Sequence, residues 1–157
     1  MPEIVVKKRE ATKIAYVEHT GPYDKIPFDV YIGKLYGFAK ENKVMPGFHP
    51  FAMYPDDPKV TPPEKLKSEI AITLKGEAVP SKGVKVKILP EMEVAVIKHK
   101  APGTEFPETY RKVMEWVAAN GYECSGPCLE IYTKKPTVEG AKTIIYANIQ
   151  VPIRKKK

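Results

Sequence analysis

Glu130, in the string CLEIY, is the acidic residue of this sequence best set to meet a ligand, because strand parity groups it with aromatic rings and not with other charges. Parity puts Tyr132, Tyr16, Tyr54 and Tyr146 on its face of a sheet, with Asn148 and Gln150 supplying hydrogen-bonding groups. Tyrosine ring faces attract cations and flat apolar rings. A carboxylate partly removed from water is costly until a cation or a donor compensates it. These residues are the expected ligand contacts. Glu130 is also the expected catalytic residue if the ligand is turned over, since such an acid can orient water or protonate a leaving carbonyl. A tyrosine-rich sheet face that simply meets water gives the same alternation.

Other reactive constellations are missing. His19 and His99 occupy matching places in an internal repeat, which points to a shared structural duty at a strand end, and His49 stands alone. No phosphate-binding glycine loop or nucleophile elbow occurs. YPDDP has too few oxygens at the required spacing for a calcium loop, so Asp56 and Asp57 read as turn formers. Cys124 and Cys128 are too few for a disulfide framework and lack the second ligand pair of a structural zinc site, so they read as reduced thiols. No metal and no cofactor are expected.

The elements that must position the site come from a duplication. KIAYVEHTGP at residues 13–22 lies over EVAVIKHKAP at 93–102, an offset of 80. After a two-residue loss the offset becomes 78, and KLYGFAKEN lies over KVMEWVAAN, then FAMYPDDP over LEIYTKKP. Each copy reads as strand, helix, strand, strand. The helices show apolar residues at helical spacing: Phe28, Ile32, Leu35 and Ala39 in the first; Tyr110, Val113, Trp116 and Val117 in the second, with Pro107 in its first turn and Gly121 at its end. Later strands are expected near residues 50–54, 68–75, 128–133 and 143–153, with a linking segment, readable as a further strand, around Lys82 to Glu91. The helix-side set is expected to be Ala15, Val17, Phe51, Met53, Ile70, Ile72, Ala95, Ile97, Leu129, Ile131, Ala147, Ile149 and Val151.

The expected fold class is therefore α+β: two tandem strand-helix-strand-strand repeats about a pseudo-twofold axis, an antiparallel sheet with helices on one face and a ligand groove on the other. At 157 residues, 43% of them apolar, the chain suits one domain over residues 1–157, repeat one spanning about 4–76 and repeat two about 84–153. No apolar run reaches the roughly 18 residues a membrane span needs, and the charged amino terminus does not suit a secretory signal, so a cytoplasmic monomer is expected. The net charge of +7 is scattered among glutamates, apart from Arg154 to Lys157 at a terminus, which reads as a solvated tail and not a nucleic-acid surface.

Several strings resemble the GyrI-like domains, which also serve as effector-binding domains of bacterial transcription regulators. In the first copy these are AYVEHTGPYDKI and MYPDDPKVTPPEKLKSEIAI; in the second, GYECSGPCLEIYTKKP and the closing IQVPI. The resemblance spans nearly the whole chain. It implies a small-molecule-binding or sensing domain, with Glu130 matching a glutamate at the bottom of an aromatic pocket that meets flat cationic ligands. It also implies two alternatives: hydrolysis of strained cyclopropane-bearing toxins through Glu130, or a protein-interaction role such as gyrase inhibition. Implied partners are a small-molecule ligand and, for the interaction role, a separate regulator protein or gyrase. The closing ANIQVPI places Asn148 and Gln150 where relatives often carry an acid and an aromatic.

No helix-turn-helix precedes the first strand, so the protein alone is expected to bind duplex DNA only weakly and in a salt-sensitive way. Electrophoretic mobility shift at physiological salt checks this; a sequence-selective complex there would contradict it.

Overall fold

The computed structural model describes residues 3–47, 49–56 and 59–156; Asp57 and Pro58 of the YPDDP turn therefore lie outside the described residues. The first strand, β1 (Val5–Arg9), is followed by the elements of repeat one: β2 (Thr12–Thr20), α1 (Phe28–Glu41), the two-residue β3 (Met45–Pro46), β4 (Phe51–Tyr54) and β5 (Lys67–Lys75). The linking segment contains β6 (Lys85–Leu89). Repeat two supplies β7 (Met92–Pro102), α2 (Phe106–Ala119), β8 (Tyr122–Cys124), β9 (Cys128–Glu139) and β10 (Lys142–Lys155). Every described pairing is antiparallel, and the class is α+β as expected. None of the described helices is long and apolar enough to cross a membrane.

The chain divides into two compact units, one holding Glu10–Pro90, the other joining the residues up to Arg9 to those from Glu91 onward. In the first, β4 pairs with β5, β5 with β2, and β2 with β6, while β3 lies on β5. In the second, β1 pairs with β7, β7 with β10, and β10 with both β8 and β9. Each unit thus gains an edge strand from the start of the other repeat's expected span, which corrects those bounds: β6, within 84–153, pairs with β2, and β1, within 4–76, pairs with β7.

Each helix covers one face of its unit's sheet because its apolar residues recur on one stripe. Under α1 lie Ala15, Val17, Ile70, Ile72 and Leu74, packed with Leu35, Phe38 and Ala39. Under α2 lie Ala95, Ile97, Ile149, Val151 and Ile153, packed with Val113 and Val117. Fully burying each valine, leucine, isoleucine or phenylalanine among them stabilises the fold by about 1.5–3 kcal/mol.

The register corrects four members of the expected helix-side set. Residues opposite one another in a pair share a face. Phe51 stands opposite Ala71 and Met53 opposite Glu69, whereas Ala52 stands opposite the helix-side Ile70. Leu129 stands opposite Gln150 and Ile131 opposite Asn148. These four point away from the helices. They are apolar because the opposite face is itself largely dry: Ile14, Phe51, Ala71, Val94 and Leu129 are all nearly inaccessible. Where both faces exclude water, apolar character no longer tells one from the other.

The duplication extends to the helix ends. Asn42 closes α1 with its backbone N–H and its side-chain amide both donating to the Phe38 carbonyl, at 3.1 and 2.9 Å. Asn120 does the same to Trp116 at 3.0 and 2.8 Å. The histidines tie strand to helix in both copies, as their matched positions suggest: His19 Nδ1 lies 2.7 Å from the Tyr31 hydroxyl, and His99 Nδ1 lies 2.7 Å from Thr109 Oγ1. After each asparagine the chain turns left-handed, through Gly121 at φ 79° in one copy but through Lys43 at φ 56° in the other.

A side chain with a Cβ pays roughly 1 kcal/mol for that conformation. Lys43→Gly is therefore expected to raise stability by about 0.5–1 kcal/mol, read as a higher urea midpoint. An unchanged or lower midpoint would mean that the lysine's own contacts outweigh its backbone strain.

Candidate functional site

The pairing that flips Leu129 outward turns Glu130 inward. Glu130 stands opposite Ile149 and Tyr132 opposite Ala147, so both lie on the face that carries α2, and Tyr54, two residues beyond the inward Ala52, likewise packs on the α1 side. This corrects the expectation that these three share a face opposite the helices. Tyr16, paired with Ala71, and Tyr146, Asn148 and Gln150, paired with Lys100, Lys98 and Val96, do lie on the face away from the helices. Tyr16 and Tyr54 belong to the unit of repeat one, and the other five residues to the unit of repeat two.

Glu130 is 7% exposed. The Tyr110 hydroxyl, from α2, donates to its Oε2 at 2.6 Å, and the Tyr132 hydroxyl, two residues along β9, donates to its Oε1 at 2.9 Å. Tyr110 reaches the strand because it lies one turn before Val113 on the buried stripe of α2, and Phe106 lies one turn before it. Sequence reading placed Tyr110 in that stripe but not among the expected ligand contacts. Helical spacing identifies the face, and only the sheet register shows that the carboxylate stands beneath the ring.

Among the described residues no basic group forms a salt bridge to Glu130. Burial raises its pKa above the ordinary carboxylate range, while the two tyrosine hydrogen bonds oppose that rise by favouring the charged form. The site is thus a nearly dry acid with neutral donors only. It can hold a proton, or exchange that proton for a cation. Among the described residues, no group of three or more His, Cys, Asp or Glu is arranged to hold a metal ion.

The remaining expected contacts are engaged within their own units. Lys87 Nζ sits 4.3 Å from the centre of the Tyr16 ring and pairs with Glu69 at 2.6 Å. Lys134 and Lys100 place their ammonium groups 4.9 and 5.9 Å from the centre of Tyr146, whose hydroxyl is 2.8 Å from Thr137 Oγ1. Gln150 is buried and accepts from Arg9 Nη1 at 2.8 Å. Tyr54 meets Tyr23 edge-on with ring centres 4.7 Å apart. Asn148 is half-buried between Lys98 on β7 and Ile131 on β9.

The repeat provides an internal comparison. At the position of Glu130 the first copy has Ala52, also on the helix side and wholly buried, while Tyr132 is matched by Tyr54. The same strand therefore folds with a methyl group in place of the carboxylate, and the buried acid is not something this architecture demands.

Comparison with known proteins agrees with this fold. The profile of the GyrI-like small molecule binding domain matches residues 2–154. The chain is similar to DNA gyrase inhibitor 2 of Dickeya dadantii (strain 3937), at 28% identity over 124 residues, 76% of this chain and 78% of that protein. Its fold is similar to the crystal structure of the EcmrR C-terminal domain, with a TM-score of 0.78 at 18% identity over 99% of each chain. It is also similar to SAV2435 bound to tetraphenylphosphonium, with a TM-score of 0.59 at 13% identity over 97% of this chain and 94% of that one.

The raised pKa sets the sign of a pH effect. An unfolded glutamate titrates near about 4.3. Above that value the unfolded chain has released the proton that folded Glu130 still holds, so stability falls as pH rises until the folded group also ionises, by about 1.4 kcal/mol per unit of elevation. Glu130→Gln removes this loss. It is expected to match the parent near pH 4 and exceed it in stability at pH 7, measured by urea unfolding at both. A variant less stable than the parent at pH 7 would show that the two tyrosines fully compensate the charge.

Proposed function

The chain belongs to the GyrI-like small-molecule-binding domain family, and on that premise we propose that it binds an aromatic cation whose charge neutralises Glu130. The observation that carries the reading is a buried carboxylate with two tyrosine hydroxyls and no salt bridge among the described residues, at a position where the first repeat buries alanine. A dry charge of this kind costs several kcal/mol unless it is compensated, and a ligand cation supplies the compensation while the rings of Tyr110 and Tyr132 supply apolar and cation–π contact. The proposed contacts are Glu130, Tyr132 and Tyr110. Tyr54, the repeat counterpart of Tyr132, is proposed to line the corresponding helix-side surface of its own unit. Tyr16, Tyr146 and Gln150, already engaged by basic residues of the chain, and Asn148, on their side of the sheet, are proposed to stand outside the ligand contacts. The role that follows is sensing or sequestering, in keeping with the chain's membership of a small-molecule-binding domain family.

Tetraphenylphosphonium, the ligand of the SAV2435 structure, is a suitable probe, with triphenylphosphine oxide as a neutral aromatic control. Calorimetric titration is expected to show the cation bound more tightly than the control, and more tightly as pH rises through the elevated Glu130 pKa, because cation and proton compete for one carboxylate. Glu130→Gln should weaken the cation by about 10–100-fold, the equivalent of about 1.5–3 kcal/mol for a hydrogen-bonded charge, and leave the control nearly unchanged. Equal binding of both compounds by parent and variant would refute the electrostatic role of Glu130.

A further inference from the structure

Cys124 ends β8 and Cys128 begins β9, and both strands pair with the same β10. Cys124 stands opposite Ile153, and Leu129 stands opposite Gln150, which sets Cys128 beside Val151. The two cysteines therefore continue one line along β10, interrupted only where Ser125, Gly126 and Pro127 loop out, with the Ser125 N–H donating to the Pro152 carbonyl at 2.8 Å. Ile153 and Val151 both belong to the core under α2, so both thiols lie on that face of the sheet. Two strand residues of separation correspond to roughly 7 Å between Cα atoms, at the upper end of the span a disulfide bridges. Both thiols are free, and each shifts the acidity of the other.

We propose that Cys124 and Cys128 are a redox-active dithiol that exchanges with low-molecular-weight disulfides such as oxidised glutathione, Cys124 attacking and Cys128 resolving. The two differ in the way these roles require. Cys124 is exposed, whereas Cys128 is half-buried against the α2 core. The hydrogen bond from Cys128 outweighs burial and, with a smaller contribution from the Gly126 backbone, draws Cys124 down to about 6, which favours the thiolate that attacks. That same hydrogen bond, then burial, then the negative charges of Cys124 and Glu130 push Cys128 up, so it keeps its proton until it is needed.

The exchange balances without any other reactant. The Cys124 thiolate attacks one sulfur of the small disulfide, its S–S bond breaks, and one thiolate leaves and takes a proton. Cys128 then gives up its proton and attacks the Cys124 sulfur of the mixed disulfide, expelling the second thiol. The net change oxidises two protein thiols to one intramolecular disulfide and reduces one small disulfide to two thiols.

The test is to incubate the reduced protein with oxidised glutathione at pH 7, quench with acid, and follow intact mass and released glutathione. The expected product is a monomer lacking two hydrogens, with two glutathiones released per chain. Cys128→Ser should trap the mixed disulfide on Cys124, and Cys124→Ser should react at least tenfold more slowly than Cys128→Ser. In Cys128→Ser the hydrogen bond comes from a hydroxyl, so the pH dependence of alkylation is read on the parent, where its midpoint should lie well below that of a free thiol. Accumulation of the glutathione adduct in the parent, disulfide-linked dimers, or equal reactivity of the two single variants would each overturn the proposal.

Discussion

The pairing of Ile149 with Glu130 decides which side of β9 the carboxylate occupies, and the chemistry assigned to the second unit follows from it. A strand has a period of two, so a register one residue different would have turned Glu130 and Tyr132 away from α2 and left the Tyr110 hydroxyl facing an aliphatic side chain. In the register that forms, one helix and one strand each deliver a phenol to one carboxylate. The donors are neutral, so they soften the desolvation of the acid without cancelling it, and the proton is held more tightly than in water. Cys128, two residues earlier on β9, shares that face, which is why the Glu130 charge is felt at its thiol.

Duplication makes the functional part of this arrangement separable from the structural part. Features present in both copies serve the fold: the asparagine that closes each helix and the histidine that fastens each strand to its helix. Features present in one copy do not follow from the fold. Ala52 fills the place of Glu130, and nothing in the first copy corresponds to the cysteine pair. Buried ionisable groups that the architecture does without in its own second example are the natural place to look for function.

The tyrosines on the opposite face show how a chain can satisfy by itself the interaction it would otherwise offer a ligand. Lys87 over Tyr16, and Lys134 and Lys100 near Tyr146, are ammonium groups already positioned by strand pairing against ring faces. Gln150 is likewise committed to Arg9. A cation arriving there would have to displace a tethered one. Among the described residues the carboxylate beneath α2 has no such internal cation, and that difference in electrostatic satisfaction separates the two faces more clearly than their aromatic content does.

Periodicity alone determined the elements of this protein: the offset of 80 and then 78 between copies predicts two strand-helix-strand-strand units, and the stripe through Tyr110, Val113 and Val117 predicts which face of α2 is buried. Its grouping of Glu130 with four tyrosines held Tyr132, which bonds the carboxylate, but not Tyr110, which also does. The facing of β4 and β9 was decided only by tertiary structure. Parity read from apolar residues assumes one wet face, and here Phe51, Met53 and Leu129 are buried on the side away from the helices, so the alternation carried no sign. Two register shifts in the β9–β10 pairing, around Tyr146, lie between the hairpin and Glu130, which removes counting from the turn as a substitute. The exchange of edge strands β1 and β6 was equally hidden, because a short strand's own residues state that it is extended and not which neighbour will satisfy its backbone hydrogen bonds.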